Sequence, residues 1–393
     1  MTDREVYIAS AARTPVGAFQ GALSDVSATE LGATALRAAV ERAGVPREAV
    51  EHTYMGCVLP AGLGQAPARQ ASRGAGLPDR TGAVTVNKVC GSGLYSAILG
   101  TRSILLGEAD VIAAGGMESM SQAPYLLTKA RQGYRMGNGE IVDSMIYDGL
   151  WDPYNDFHMG KAGELCAREY RLDREAQDEY ASESYRRALA AQEEGAFARE
   201  IVPVTVRTRK GEVEVTEDEE PKRAKLDKMG QLRPAFDKEG TITAANASKI
   251  DDGAAAVILA SKKAVDEHGL KPIARVLGYG GHAQAPEWFT TAPVGAVQQT
   301  LSRIGLKADD IDLWEVNEAF SAVAMAVGKD VGIARDRLNV RGGAVALGHP
   351  IGASGARILV TLLHAMEDRD VRRGLATLCL GGGEAVALAV ERV

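Results

Sequence analysis

Aromatic side chains are scarce in this chain: Phe, Trp and Tyr make up 5% of 393 residues, against 44 glycines. The chain is therefore not built around an aromatic binding surface, and its glycines predict closely packed backbone and many turns. An excess of positive charge is missing as well. With 45 Lys and Arg against 52 Asp and Glu, the net charge is −7, so no global basic field draws in nucleic acid or other phosphate polymers. Only four cysteines occur, Cys57, Cys90, Cys166 and Cys379, and none share a C-x-x-C spacing. That argues against a structural zinc site and a disulfide scaffold, predicts no metal, and fits a reducing compartment. The stretch Met1 to Glu5 carries acidic residues ahead of a short apolar run, Val6 to Ala12, unlike a signal or transit peptide. No uninterrupted apolar run of membrane length is evident elsewhere. The expectation is a cytoplasmic protein without nucleic-acid or membrane partners.

What is present is material for more than one core, since 46% of the residues are hydrophobic. Val6 to Ala12 reads as a buried strand closed by the loop Arg13 to Gly17. A helical pattern from Ser27 to Ala43 stops at Gly44, and Asp110 to Ala114 reads as a second buried strand ending at Gly115-Gly116, before Met117-Glu118-Ser119. Past residue 121 charge rises, aromatics gather between Tyr147 and His158, and helices such as Arg174 to Gln192 alternate with polar loops. This texture predicts an inserted domain over 122–248, whose acidic-then-basic run Glu217 to Lys225 reads first as a solvated loop. A core-strand pattern returns from Asp252 to Leu259.

The chain also echoes itself. Arg42 to Pro46, then Val50 and Tyr54 to Cys57, resembles Arg303 to Lys307, then Ile311 and Glu315 to Glu318, with a constant offset of 261 (305 − 44 and 317 − 56). A second echo pairs Val111 to Ser119 with Thr377 to Ala385. We read two duplicated α/β halves, 1–121 with 249–270 and 271–393, packed face to face, each a mixed sheet covered on both sides.

Four loops carry chemistry. Thr85 to Gly93 runs from a β-branched segment through Cys90 into Gly91-Ser92-Gly93 and on into a helix marked by Leu94, Ala97, Ile98, Ile104 and Leu105. Cys90 thus stands at a helix N-terminus, where unpaired amides and the macrodipole favour the nucleophilic thiolate. Gly348 to Gly355 sets His349, the usual proton carrier near neutral pH, in a Gly/Pro-rich loop before a helix. Asn317-Glu318-Ala319-Phe320 places an amide and a carboxylate where the strand Ile311 to Val316 gives way to a helix. Leu378 to Gly383 brings Cys379 to a strand end beside glycine amides able to bind an oxyanion. Each has an ordinary reading on its own: a small buried cysteine, a structural histidine, a helix cap. Together they fall just past predicted strands, where facing α/β halves hold ligands. Two cysteines and one histidine suit acyl transfer, in which one thiolate takes the acyl group and the other thiol moves a proton.

These motifs, Asn87 to Gly93, Asn317 to Phe320, Gly348 to Gly355 and Cys379 to Gly383, resemble in order the four signatures of the thiolase family, most nearly its acetyl-CoA acetyltransferase branch. The resemblance covers essentially the whole chain. It implies a five-layered α-β-α-β-α fold of two thiolase-type halves plus a loop domain, and reversible condensation of two acetyl-CoA into acetoacetyl-CoA and CoA by a ping-pong route. Coenzyme A is then substrate and product rather than a cofactor. Cys90 would carry the acyl group, His349 accept its proton and Cys379 deprotonate the second acetyl-CoA. One oxyanion site would use His349 with a water held by Asn317, the other the amides of Cys90 and Gly381. The resemblance further assigns His158, Met159, Phe236, Ala244, Ser248, Ala319 and Phe320 to a pantetheine tunnel, and Lys222, Arg223 and Lys225 to the CoA phosphates. Gln122 to Gly139 resembles a tetramerisation loop and implies a homotetramer, a dimer of dimers. One departure bears on substrate: Trp288-Phe289-Thr290-Thr291-Ala292-Pro293 replaces the usual Val-Met-Gly-Thr-Gly-Pro, so Phe289 enters the acyl pocket and bears on acceptance of 2-methyl-branched or longer acyl groups.

Rival readings fit less well. A nicotinamide dehydrogenase needs G-x-G-x-x-G, and neither Gly91-Ser92-Gly93 nor Gly62-Leu63-Gly64 continues to the third glycine. A decarboxylating ketoacyl synthase has no use for Cys379. A non-catalytic acyl-CoA or lipid carrier would be marked by loss of Cys90 or His349, and both are present.

Overall fold

A computed structural model describes residues 4–393. Its frame is a ten-stranded mixed sheet. In the first half, β1 (Val6–Arg13), β2 (His52–Gly56), β3 (Gly82–Val86), β4 (Val111–Ser119) and β5 (Asp251–Ser261) lie in the order β3-β2-β4-β5-β1. In the second, β6 (Ala274–Ala283), β7 (Leu313–Val316), β8 (Arg373–Leu380) and β9 (Glu384–Arg392) lie in the order β6-β9-β8-β7, and the short strand Gly17–Ala18 pairs with β5. The halves meet edge to edge, with Tyr7 opposite Arg275 and Ile8 opposite Ala274. Direction repeats along with order: β2 with β4 and β7 with β8 are parallel, and the remaining pairs inward of them antiparallel. β2 and β7 begin 261 residues apart (313 − 52), the offset read from the sequence.

Eight α-helices of eight residues or more occur among the described residues: α1 (Ala28–Ala43), α2 (Pro67–Gly74), α3 (Ser92–Leu106), α4 (Met159–Tyr170), α5 (Arg174–Glu193), α6 (Ala292–Ile304), α7 (Ser321–Val331) and α8 (Ile351–Asp368). α1 starts where Ser27 and Glu30 form a reciprocal capping box and stops at Gly44 in the left-handed region. With α2 it covers the outer face of the first half, while α6 and α7 cover that of the second. α3 and α8 pack on each other in the middle, with apolar side chains of both halves on either side. The result is five layers.

The central layer explains a departure from the sequence reading. Val89–Leu106 has a mean hydropathy of 1.3 and by length and composition alone could cross a membrane. Its helix is apolar on nearly every side because it is packed on nearly every side. A second departure concerns β4, which runs straight through Gly115 and Gly116 to Ser119 instead of ending there. A Cβ on Gly116 would lie 2.0 Å from the Gly352 carbonyl oxygen, so that glycine serves close packing against α8. β8, by contrast, does end, and the chain reverses at Gly382 (φ 87°) and Gly383 (φ 86°). The run Glu217 to Lys225 is not simply solvated either. Asp218 is buried and accepts both terminal nitrogens of Arg13, at 2.6 and 2.9 Å, while Arg13 Nε donates to Glu200 at 2.7 Å. This pairing ties the insertion to the first half.

Candidate active site

Cys90 and His349 occupy matching places. Each lies two residues before the first residue of a central helix, Ser92 of α3 and Ile351 of α8, so both offsets are 259 (349 − 90 and 351 − 92). The Cys90 turn is tight. Val89 adopts φ +46°, a strained conformation for a β-branched residue. It is held there by Val89 N–H to Asn87 Oδ1 at 3.0 Å, Lys88 N–H to Ser92 Oγ at 2.8 Å, and Ser92 O–H to the Val89 carbonyl at 2.6 Å.

The expectation of a thiolate at rest fails here. Burial pushes the Cys90 thiol up to about 11, although the N–H groups of Gly381 and of Cys90 itself are aimed at the sulfur and pull the other way. Desolvation outweighs the helix terminus, so the cysteine needs a base. His349 is buried at 5% exposure and held down to about 3, chiefly by burial and also by the Arg357 guanidinium, which lies near the buried Glu315 carboxylate. Its backbone N–H donates to Asp251 Oδ2 at 2.8 Å. Asn317 Nδ2 lies 3.5 Å from both ring nitrogens. Cys379, 1% exposed, is also pushed well above an ordinary thiol, through burial and the nearness of Cys90.

Cys90, His349 and Gly381 open onto an apolar cavity of about 190 Å³. His158, Met159, Phe236, Ser248, Phe289, Ala319 and Phe320 line it as well. The His158 and Phe236 rings stack with centroids 4.8 Å apart, and Phe320 meets Phe236 edge-on at 6.0 Å. His158 Nδ1 accepts the Gly160 N–H at 3.0 Å, capping α4, and burial lowers the ring's pKa. A second cavity of about 290 Å³ is cationic, with Arg223, Lys225, Lys228 and Lys249 among its lining. Lys249 belongs to both cavities, and burial lowers its ammonium to about 8.

Residues 6–263 match the family described as thiolase, N-terminal domain, and residues 270–392 match thiolase, C-terminal domain. The chain belongs to the thiolase family. It is 52% identical to the acetyl-CoA acetyltransferase of Cupriavidus necator over 394 residues, covering all of both chains. To the protein of that name from Escherichia coli K12 it is 52% identical over 392 residues, covering 99% of this chain and 100% of that one. The crystal structure of the Acat5 thiolase from Ascaris suum in complex with coenzyme A superposes with a TM-score of 0.94 at 46% identity, covering 99% of this chain and 100% of that one.

Most residues singled out in the sequence of this thiolase meet at the first cavity. Cys379 and Asn317 stand just behind its wall. Ala244 lines the second cavity instead, because it precedes the turn that carries Ser248 to the first. Lys222 lines neither, being drawn into an ion pair with Glu217 on the surface. Seven lining residues escaped sequence reasoning: Met120, Gly149, Leu150, Ala247, Lys249, Ile250 and Ile351. Met120 was within reach, since it lies just past a strand like the others. Glu118 was missed as well. Its carboxylate accepts the N–H groups of Val58 (2.9 Å), Leu59 (3.1 Å) and Gly352 (2.8 Å), clamping the loop after β2 to the first turn of α8. Burial pushes its pKa up to about 7 against the pull of those amides.

Proposed function

We propose that this thiolase is an acetyl-CoA C-acetyltransferase that interconverts two acetyl-CoA with acetoacetyl-CoA and CoA. The observation that carries this reading is the pair of cavities sharing Lys249: an apolar one holding Cys90 and His349, and a cationic one beside it. A thioester with an apolar-walled arm and a phosphorylated head fits both, with the thioester carbon at Cys90 and the phosphates near Arg223, Lys225 and Lys228. The names of the full-length relatives and the coenzyme A bound to the Ascaris suum protein support it.

The resting Cys90 thiol attacks the thioester carbonyl as His349 takes its proton, and the amides of Cys90 and Gly381 meet the developing oxyanion. Cys379, protonated at rest, gives its proton to the departing CoA sulfur. The thiolate left behind then removes a proton from the methyl carbon of a second acetyl-CoA. That carbanion, its enolate oxygen facing His349 and an Asn317-held water, attacks acetyl-Cys90; a new C–C bond forms and the Cys90 sulfur leaves with a proton from His349. Coenzyme A is substrate and product, and the reaction needs no other cofactor. We further propose a cytoplasmic homotetramer, a dimer of dimers. Tyr125, Leu127, Tyr134, Met136 and Ile141 are exposed together along one loop of the insertion, an apolar surface suited to a second copy.

The enzyme mixed with acetoacetyl-CoA and CoA should consume the enolate absorbance, and an unchanged signal would sink the reading. Rates with 2-methylacetoacetyl-CoA and 3-ketohexanoyl-CoA measure what Phe289 allows. Cys379→Ala should still take label from acetyl-CoA onto Cys90 while turning over very slowly; no label on Cys90 refutes the division of roles.

A further inference from the structure

We propose that Ser354 is a positioning residue: it fixes His349 as the Nδ1–H tautomer and so makes Nε2 the atom that takes the Cys90 proton. This rests on the acyl-transfer reading above only for its consequence in turnover. The geometry is independent of it. Ser354 lies buried in the first turn of α8, its Oγ 2.6 Å from His349 Nδ1 and 2.8 Å from the Pro350 carbonyl oxygen.

The hydroxyl has one hydrogen to place. Two oxygens 2.8 Å apart in a buried site need a hydrogen between them, and the Pro350 carbonyl has none, so the serine must supply it. Bonding to the carbonyl four residues back is the habitual choice of a serine in a helix. The 2.6 Å approach to Nδ1 needs a hydrogen too, and only the ring remains to give it. A neutral imidazole carries one N–H. With Nδ1 protonated, Nε2 presents a lone pair, which a base beside Cys90 requires. The reverse tautomer would leave Nε2 protonated, with no lone pair to take a proton from the thiol. Asn317 does not decide the matter, being equally far from both nitrogens at 3.5 Å. The backbone bond to Asp251 fixes where the ring starts, not which nitrogen is protonated.

Alkylation of Cys90 by iodoacetamide, followed by peptide mass mapping from pH 7 to 10, reads base assistance without any CoA thioester. A failed acetyl-transfer assay therefore leaves this test readable. Ser354→Ala should be slower than wild type by about tenfold to a hundredfold at pH 7.5, reaching at most the lower end of what a positioned base provides. The gap should narrow as pH rises toward the ionisation of Cys90 itself, because a free thiolate needs no base. A rate within about twofold of wild type at pH 7.5, or a deficit constant across the whole range, would overturn the proposal, the latter being the mark of simple structural damage. A second measurement does not depend on Ser354→Ala folding. In wild-type protein labelled with ¹⁵N-histidine, the signal lost in His349→Asn should carry its hydrogen on Nδ1; a hydrogen on Nε2 overturns the assignment.

Discussion

Replacing His349 with asparagine isolates the ionisation of Cys90. Asparagine keeps a polar group of similar reach in the cavity but cannot accept a proton near neutral pH. With the thiol pushed up to about 11, roughly one sulfur in a thousand is ionised at pH 8, and the share grows about tenfold per pH unit. In the wild type the proton leaves as the carbonyl is attacked, so acetylation of Cys90 should change little between pH 7 and 9. In His349→Asn only the sulfurs already ionised can react. Single-turnover acetylation at pH 8 should therefore fall about a thousandfold, equivalent to about 4 kcal/mol of barrier, and then climb about tenfold per unit toward pH 10. Rapid quenching and intact-mass measurement of the acetyl adduct give the rate directly. A flat pH profile in the variant, or a rate within tenfold of wild type at pH 8, would mean that the helix N-terminus alone supplies a thiolate, and the desolvation argument would fall.

Other perturbations test separate parts of the structure. Val89→Gly relieves a left-handed β-branched residue, a strain of about 1–2 kcal/mol, partly offset by glycine's unfolded-state freedom. We expect a higher thermal midpoint with a lower kcat, and an unchanged or lower midpoint would show that the turn stores no strain. Arg13→Met leaves Glu200 and Asp218 buried without their shared cation and should cost about 3–5 kcal/mol in denaturant titration; a loss under about 1 kcal/mol would show that the network is dispensable. Acid should destabilise through His349. Its folded pKa of about 3 lies below the ordinary 6.5, so the unfolded chain binds a proton the folded one refuses, and stability drains as pH falls from 6.5 toward 3, by about 4 kcal/mol in all. Glu118, raised to about 7, acts in the opposite sense and loses stability as pH climbs from 4.5 through 7. His349→Asn should accordingly flatten the acid limb of the thermal midpoint, and an acid limb as steep as wild type would remove His349 as its cause.

How much of this was legible in the sequence depended on how local each signal is. The four loops of the candidate site announced themselves because each falls just past a predicted strand, three of them in glycine-rich turns. The duplication was visible because helix stop, turn and strand recur with one spacing, and α1 through its capping box and terminal glycine. What stayed hidden depends on partners far away in the chain. The Asp218 ion pair reaches back 205 residues to Arg13, so an acidic run that looks solvated by composition is partly core. Glu118 shows its purpose only once Gly352, 234 residues on, is in place. The thiolate expectation for Cys90 failed for a related reason: a helix terminus can be read from sequence, whereas the desolvation that overrides it comes from walls contributed by the insertion and the other half.

The matched placement of Cys90 and His349 ahead of paired helices has a consequence for symmetry. Two identical halves would have to carry the same residue at that position on both sides of the central layer. Joined in one chain, the two copies of the position are free to differ, and here one holds a thiol and the other an imidazole. On the acyl-transfer reading proposed above, the asymmetry that the chemistry needs comes from one position filled twice.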